Sequence, residues 1–427
     1  SNPAASSEYA PARLPVGPLE ISAWLPAGLG QEVRLDETAL GSLGLTHLEW
    51  LQRAERDGAS AEELAMRFCS GAGLKMPVYY EPPGYSPYDK LRNWATREQL
   101  GVGYDDSLRA RVAELVGQWS GEPGLAGYLV GHEDYRWQAY PALARTVARL
   151  REQDALRPAY TVGHIDAFPR QEQFLEAFFP DGGPANVLQH EHYVFRAGVP
   201  DSGAALQRRL EELAQGYGRA ARAVQGRNGR WQAIVQAHAE TRGTERWYRQ
   251  PGAAELRVQV GLALARGAAG VVYFLYSSGT EEVRDARGEV REVRRYQGLV
   301  EEMGEPTALY AAARQLNADL ARLSAPLEPL HFHGGYRGDR LPAGAPLSAA
   351  DRELDVGLFG DGDTVTHVLV VNLRTWEARR ARLRLPDRLG RDAVTGERLG
   401  RGEVEVDLEA GGFRLLELAS LGGAERP

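Results

Sequence analysis

The chain has 427 residues, 43% of them hydrophobic, which is enough for a large core and more than one ordinary compact domain needs. Charged residues make up 25%, the formal net charge is −8 and acidic residues alternate with the arginines, so the composition argues against a nucleic-acid-binding protein. The single cysteine, Cys69, excludes an intramolecular disulfide framework and a multi-cysteine metal site. No apolar run reaches eighteen residues, and no membrane span is predicted.

The first residues, SNPAASSEYAPARLP, are small, polar and proline-rich. We expect residues 1–16 to form a flexible tail of the kind that remains after a signal sequence is removed, and therefore expect an exported protein, periplasmic, lipid-anchored or secreted. A cytoplasmic location stays open.

Eight short apolar segments alternate with helix-length amphipathic segments from Pro18 to about Leu323. They are LEISAWLP (19–26), LGLTHLEWL (43–51), LKMPVYYE (74–81), LAGYLVGHED (125–134), RPAYTVGHID (157–166), NVLQHEHYVF (186–195), RWQAIVQAHAE (230–240) and AGVVYFLYSSG (269–279). Eight strands separated by helices predict an α/β fold, a (β/α)8 TIM barrel over residues 17–325. A doubly wound nucleotide-binding sheet is the rival, but LPAGLGQEV after the first strand lacks the glycine spacing of a phosphate loop.

The rhythm changes after a last helix predicted over Thr307 to Leu323. Six segments then alternate apolar and polar residues in period two and are joined by glycine and aspartate turns: LEPLHFHG, LDVGLFGD, HVLVVNLR, RARLRLP, GEVEVDLEA and GFRLLELAS. This pattern predicts a small antiparallel β-sandwich domain over residues 326–427.

Catalytic groups of such a barrel come from the carboxyl ends of its strands. The candidate residues for substrate binding there are Trp24, Glu49, Tyr80, Glu81, His132, Asp134, Trp137, His164, Glu191, His192, Tyr193, His238 and Tyr276. A rim rich in carboxylates, imidazoles and aromatic rings exceeds what packing requires, so we expect these side chains to converge on one cavity.

Glycoside hydrolysis needs two carboxyl groups across the bond that is cleaved. Glu133, at the tip of the fourth strand, is the first candidate, although it could simply pair with Arg136. Glu240, just past the seventh strand, is the candidate for the second catalytic group, as nucleophile or base, and Glu191 on the sixth strand competes with it.

Four histidines near the strand ends, His132, His164, His192 and His238, raise the alternative of a metal site. The sequence lacks an H-E-x-x-H helix, and strand alternation points His190 and His192 to one face and Glu191 to the other. Glu191 and His192 therefore cannot both face the cavity. We expect the histidines to form hydrogen bonds, with no metal and no cofactor.

Several motifs resemble those of a glycoside-hydrolase-like family of bacterial barrels. GYLVGHEDYRWQAYPALARTVARLREQDALRPAY resembles the family's GYxxxDEP followed by FPALAxLVxxLRxxDPxRPAY, and NVLQHEHYVF resembles DVLSYDHYPF. WQAIVQ with AELRVQVGLALARGAAGVVYFLY is similar to WAIVQ and ELRWQVYxALAxGAKGIxYFxYW, and GEPTALYAAARQLNADLARL resembles the exit helix. VVNLR and DAVTGERL in the β-domain are similar to VVNR and DLxTGE.

The resemblance implies the clan A superfamily of retaining glycosidases, in which a glutamate closing strand four is the acid/base and one closing strand seven is the nucleophile. By position these are Glu133 and Glu240. Two departures are present: Asp-Glu-Pro reads His132-Glu133-Asp134 here, and the Asp of DHY is Glu191.

The leading hypothesis is thus a glycoside hydrolase that cleaves an O-glycosidic bond in a poly- or oligosaccharide with two carboxyl groups, by a retaining mechanism. The alternative is a non-catalytic carbohydrate-binding protein on the same scaffold, since a fold does not determine a function. The expected partner is a carbohydrate in either case. Sugar, linkage and oligomeric state do not follow from the sequence.

Overall fold

The structure, a computed structural model, describes residues 14–25, 37–49, 55–56, 59–80, 103–285, 287–302, 304–348 and 351–420. Within these ranges the eight α-helices are α1 (Glu37–Ser42), α2 (Ala61–Ala72), α3 (Tyr104–Trp119), α4 (Tyr140–Gln153), α5 (Gln171–Phe178), α6 (Gly203–Val224), α7 (Ala253–Leu264) and α8 (Ala308–Leu327). No helix of the described chain is both long and apolar enough to cross a membrane.

The strands fall into four sheets. Their bounds are β1 (Leu14–Pro15), β2 (Glu20–Ala23), β3 (Glu55–Arg56), β4 (Ala59–Ser60), β5 (Met76–Tyr79), β6 (Leu125–His132), β7 (Ala159–Gly163), β8 (Asn186–Glu191), β9 (Gly229–Gln236), β10 (Ala239–Arg242), β11 (Glu245–Tyr248), β12 (Gly270–Phe274), β13 (Gly279–Arg284), β14 (Val290–Gln297), β15 (His331–Arg337), β16 (Leu354–Asp361), β17 (Thr364–Asn372), β18 (Arg379–Asp392), β19 (Arg398–Leu408) and β20 (Phe413–Ser420).

The central sheet has seven parallel strands in the order β2-β12-β9-β8-β7-β6-β5, so the strand of this sheet that comes first in the chain, β2, pairs with the one that comes last, β12. Seven of the eight predicted barrel strands are these strands. Their carboxyl ends lie at one edge, with His132 opposite Val162 and Glu191 opposite Ile234. The strand ends that we expected to carry the site therefore share one edge of the sheet.

The predicted second strand is not a regular strand. Residues 46–49 lie between the two edge strands and bridge them: Glu49 N–H donates to the Ala23 carbonyl (3.0 Å), and Leu48 N–H donates to the Lys75 carbonyl (2.8 Å). The structure thus contains a curled sheet of seven strands with helices, and the prediction of a barrel closed by eight regular strands is met only in part.

Hairpins after β9 and β12 form a separate four-stranded antiparallel sheet, in the order β11-β10-β14-β13. The segment just past the seventh predicted strand is itself a strand, because Thr241 and Arg242 pair with Arg295 and Arg294 of β14. Glu240 lies in this added sheet, opposite Tyr248 and Tyr296.

The six strands predicted for the C-terminal domain are all present and form one antiparallel sheet, β1-β15-β16-β17-β20-β18-β19. Its core joins side chains of β16 and β17 to those of β18 and β19, among them Val356, Val370, Leu383 and Val406, so the sheet folds over itself. Residues 14–16 of the predicted flexible tail belong to this ordered structure, because Leu14 pairs with Phe332 and is buried.

Helix α7 connects the two parts of the molecule. It is buried on nearly every side because it packs against β9 and β12 on one flank and against β17 and β20 on the other. Gly261 permits the close approach: a Cβ there would lie 2.8 Å from the Phe413 ring. Directly after the helix, Arg266 forms a buried ion pair with Asp355 of β16 (2.5 and 2.8 Å).

Candidate active site

Glu133 directly follows β6 and has a backbone conformation that is unusual for a residue with a side chain. Its φ is +54°, in the left-handed region, and its N–H donates to the Val162 carbonyl (2.9 Å). Such conformations concentrate at functional sites because the surrounding structure must compensate their strain. Glu133 therefore meets the expectation of a specially positioned carboxyl group at the strand tip.

The carboxyl group beside Glu133 belongs to Glu191, at the end of β8. Glu133 and Tyr135 both lie close enough to Glu191 to act on the ionisation of its carboxyl group. Burial first and the charge of Glu133 second raise the pKa of Glu191 well above its ordinary range. Two carboxyl groups in this arrangement hold one proton between them more readily than they carry two negative charges.

Strand alternation selects Glu191 over its neighbours. Gln189, two residues earlier, points into the sheet interior, where its amide donates to Glu49 Oε1 (2.7 Å) and Gln232 Oε1 (3.0 Å). His190 points the opposite way and packs against Tyr217 of α6. Glu191 lies two residues after Gln189 and therefore projects from the same face of β8, whereas His190 and His192 project from the other face. Of Glu191 and His192, it is thus Glu191 that faces the interior.

Tyr135 completes this cluster, which we call the carboxyl cluster: Glu133, Glu191 and Tyr135. The Tyr135 hydroxyl accepts the backbone N–H of His164 (3.0 Å), so its own proton is directed to Glu191. Burial, together with the charges of Glu191 and Glu133, raises the pKa of Tyr135 far above its ordinary value. The phenol is thus a neutral donor to the pair.

Glu49 lies below the carboxyl cluster within the sheet interior. It accepts a hydrogen bond from Gln189, and Ser22 Oγ lies 3.5 Å from the same oxygen, Oε1. Burial raises the pKa of Glu49 to about 8, so its carboxyl group is largely neutral at pH 7.

Glu240, the first choice for the second catalytic group, has different surroundings. Its Oε1 accepts a hydrogen bond from Arg242 Nε (2.6 Å), and its Oε2 lies 3.9 Å from His238 Nε2. It is 4% exposed and sits in β10 of the added sheet rather than on a strand of the central sheet. An arginine already balances this carboxylate.

Tyr193 lies between the carboxyl cluster and the surroundings of Glu240. Its ring is 5.2 Å from that of His238 and 5.8 Å from that of Tyr248. Burial and the charges of Glu191 and Glu133 raise its pKa well above the ordinary value. His238 donates from Nδ1 to the Phe274 carbonyl (2.9 Å), and burial lowers its pKa to about 4, so it is neutral.

Two predicted aromatic residues lie near the strand ends, but each has a partner in the protein. The Trp24 ring contacts that of His132 (5.6 Å between centroids) and is almost fully buried. The Trp137 ring is covered by the Arg170 guanidinium at 3.6 Å.

Four other predicted residues, Asp134, Tyr80, Tyr276 and Glu81, are not part of the carboxyl cluster. Asp134 is fully buried and bound by Arg136 through two contacts of 2.7 and 2.5 Å, so Arg136 pairs with this aspartate. Tyr80 and Tyr276 belong to the main hydrophobic core. Glu81 lies outside the described residues.

Three histidines converge behind the carboxyl cluster: His164, His190 and His192 offer nitrogen atoms that all lie within 4.8 Å of one another. Burial lowers the pKa of each, to about 4 for His192, so the rings are neutral at pH 7. His164 and His192 were predicted as site residues. They lie here, while Glu191 points to the other face of the strand.

Sequence reasoning missed Tyr135 and did not assign His190 a role. Tyr135 sits two residues after Glu133, in a segment already assigned to the rim, and that proximity was the available signal. His190 lies two residues before His192 and so projects from the same face of the strand. This spacing was enough to predict that the two imidazoles lie near each other.

No family model matches this sequence, and no curated protein matches it. Solved structures do resemble the fold. A β-galactosidase from Bacillus circulans sp. alkalophilus has a TM-score of 0.60 at 9% identity over 94% of this chain and 99% of its own. A family 27 β-L-arabinopyranosidase from Geobacillus stearothermophilus has a TM-score of 0.53 at 11% identity over 96% of this chain and 98% of its own.

A family 39 glycoside hydrolase from Bacteroides cellulosilyticus is more distant, with a TM-score of 0.46 at 11% identity over 94% of this chain and 81% of its own. The glycosidase-like fold inferred from the motifs is confirmed by the first two structures. At these identities the likeness concerns the fold alone.

Proposed function

We propose that the protein is a glycoside hydrolase that cleaves an O-glycosidic bond in a poly- or oligosaccharide, with Glu133 and Glu191 as its two carboxyl groups. The observation that carries the proposal is the placement of these two carboxyl groups beside each other at the carboxyl ends of β6 and β8, close enough for the charge of Glu133 to act on Glu191. We further propose that residues 46–49 act as the second strand of a (β/α)8 barrel, supported by their backbone bonds to both edge strands.

The chemistry requires one carboxylic acid and one carboxylate at the same pH. A pair that holds one proton supplies both states at once, because ionisation of one group opposes ionisation of the other. We assign Glu133 as general acid/base because it closes the fourth predicted strand, and Glu191 as nucleophile because Tyr135 beside it favours the ionised form of its carboxyl group. Once a sugar separates the two carboxyl groups, the charge of Glu133 opposes ionisation of Glu191 less strongly. Glu133 protonates the leaving oxygen, and Glu191 attacks the anomeric carbon to give a glycosyl-enzyme that water then hydrolyses.

In retaining enzymes the two carboxyl groups lie roughly 5–5.5 Å apart, on either side of the bond that is cleaved. The sugar would therefore enter between Glu133 and Glu191. Tyr135 would then stabilise the Glu191 carboxylate through its hydroxyl, and the half-buried Tyr193 would border the sugar.

The test is hydrolysis of a panel of aryl glycosides and polysaccharides by the wild type and by Glu133→Gln and Glu191→Gln. Loss of one acid/base group typically lowers turnover by about 10²–10⁴-fold, and both variants should show at least such a loss while remaining folded. Glu176→Gln, on the exposed side of α5, is the matched control. NMR of the first-formed anomer reports retention or inversion.

Glu240→Gln distinguishes the two assignments of the second carboxyl group. Wild-type turnover in Glu191→Gln together with a large loss in Glu240→Gln would overturn the assignment of Glu191. Saturable binding of a sugar without turnover across the panel would instead support a carbohydrate-binding protein.

A further inference from the structure

The three histidines on the outer face of the β8 end form a group without an assigned role. His164 follows β7, His190 lies in β8 and His192 follows β8, so two adjacent strand ends contribute. Their nitrogens lie within 4.8 Å of one another, whereas a tetrahedral zinc site with Zn–N bonds of about 2.0–2.1 Å separates its ligand nitrogens by about 3.4 Å. Closing each pair requires a shift of at most about 1.4 Å.

Unpartnered nitrogen atoms lie in this group. His190 is fully buried and its Nε2 has no hydrogen-bond partner among the described residues, and Nδ1 of His192 is likewise buried without one there. Burying a polar nitrogen without a partner is unfavourable, so such atoms call for an explanation. A metal ion supplies the missing partner for a lone pair.

Two oxygen-bearing groups lie near the rings, where metal-binding histidines have their outer contacts. The Gly163 carbonyl lies beside the His190 ring, and Asp166 Oδ2 lies 4.0 Å from His164 Nδ1, where it acts through its charge. Metal-bound imidazoles typically direct their other nitrogen to a carbonyl or a carboxylate. In the structure, His190 Nδ1 accepts a hydrogen bond from the Ile165 amide (3.2 Å). A metal ion bound to Nε2 would place the ring proton on Nδ1, which would then donate to the Gly163 carbonyl instead.

A helical glycine makes room for His192. Gly216 lies within α6, where a glycine costs about 1 kcal/mol relative to alanine, and a Cβ there would lie 2.3 Å from His192 Nδ1. Helix α6 thus has a glycine, a poor helix former, at the position that the His192 imidazole contacts, where a larger residue would clash with the ring. That is an observation independent of the histidine cluster itself.

The charges facing the group are mixed. Asp166 is held by Arg219 Nε (2.6 Å), and Glu212 also acts on His192. The Arg219 guanidinium repels a cation, whereas the carboxylates of Asp166 and Glu212 attract one, so these charges partly cancel. The affinity for a metal ion would therefore come mainly from the three neutral imidazoles. Nitrogen ligands in this number suit zinc.

We propose that His164, His190 and His192 bind one Zn²⁺ ion, with water as the fourth ligand, on the face of the strand opposite Glu191. The ion would tie the end of β7 to the end of β8, the strand that delivers Glu191 to the carboxyl cluster. This proposal concerns binding alone and does not depend on the proposed hydrolase function.

The experiment is titration of untagged, chelator-treated protein with Zn²⁺ at pH 7.5, by calorimetry and by thermal unfolding. We expect one equivalent to bind and to raise the unfolding temperature, and Co²⁺ in its place to give the visible absorption of a four-coordinate site. His164→Gln and His192→Gln should weaken binding by roughly 100-fold or more, given that loss of an outer contact alone costs about 10–100-fold. His367→Gln, in the C-terminal domain, is the control and should bind as the wild type does.

Gly216→Ala tests the packing argument without removing a ligand. It should weaken Zn²⁺ binding while the metal-free protein keeps its fold by circular dichroism. The proposal is overturned if no stoichiometric binding occurs at micromolar free Zn²⁺, or if His164→Gln and His192→Gln bind as tightly as His367→Gln.

Discussion

Replacing Glu49 with glutamine should stabilise the protein at alkaline pH and leave it unchanged at acidic pH. Glu49 is 2% exposed and its carboxyl group is a hydrogen-bond acceptor for Gln189. Its pKa is raised to about 8 in the folded protein from an ordinary value of 4.5. The glutamine of Glu49→Gln has nearly the shape of the protonated acid, keeps an oxygen for Gln189 and cannot ionise.

The size of the effect follows from proton linkage. Below pH 4.5 Glu49 is protonated in both the folded and the unfolded chain, so its ionisation does not reduce the free energy of unfolding there. Between pH 4.5 and about 8 only the unfolded chain releases the proton, so the free energy of unfolding falls by about 1.4 kcal/mol per pH unit. Across that interval the loss reaches about 5 kcal/mol, and above pH 8 it no longer grows.

Urea unfolding of the wild type and Glu49→Gln at pH 5 and pH 8.5, followed by tryptophan fluorescence, measures the difference. We expect nearly equal stability at pH 5 and an advantage of several kcal/mol, up to about 5, for the variant at pH 8.5. Glu176→Gln, an exposed substitution of the same kind, should give a difference that does not vary with pH. A pH-independent difference for Glu49→Gln would refute the argument that this carboxyl group is buried in its neutral form.

Two further substitutions test the packing between and within the two parts. Asp355→Ala leaves Arg266 buried without its partner and should lower the free energy of unfolding by about 3–5 kcal/mol in urea unfolding, while an effect below about 1 kcal/mol would contradict the buried ion pair. Gly270→Ala places a Cβ 2.3 Å from the Glu20 carbonyl oxygen and should lower the free energy of unfolding by about 1–3 kcal/mol. The control is Gly117→Ala on α3, where a Cβ meets no described atom within 4 Å, and this variant should be neutral or slightly stabilised. Similar results for the two variants would contradict the close contact between the strands.

The periodic parts of the fold were accessible from sequence because burial repeats along them. Helix α4 runs over Tyr140–Gln153, where Leu143, Val147 and Leu150 recur at helical spacing, and all three are buried. β16 spans Leu354–Asp361, the predicted segment LDVGLFGD. The domain boundaries proposed from these patterns remain a prediction.

The added sheet of β10, β11, β13 and β14 was not accessible in this way. Its strands carry charged residues on both faces, as in EVREVRRYQ, and only pairing between distant hairpins makes them strands. Glu240, predicted just past the seventh strand, lies in this sheet, where it pairs with Tyr296 and accepts a hydrogen bond from Arg242.

Sequence by itself determined that polar residues follow each apolar strand and that Glu133 closes the fourth. It also determined that Glu191 and His192 face opposite ways, because side chains alternate along any extended strand. Only the tertiary structure decided which of the two faces the interior: both faces of β8 are buried, Gln189 on one and His190 on the other, so polarity does not mark the inside. The contact of Gln189 with Glu49, 140 residues away in the chain, sets that orientation and brings Glu191 to Glu133.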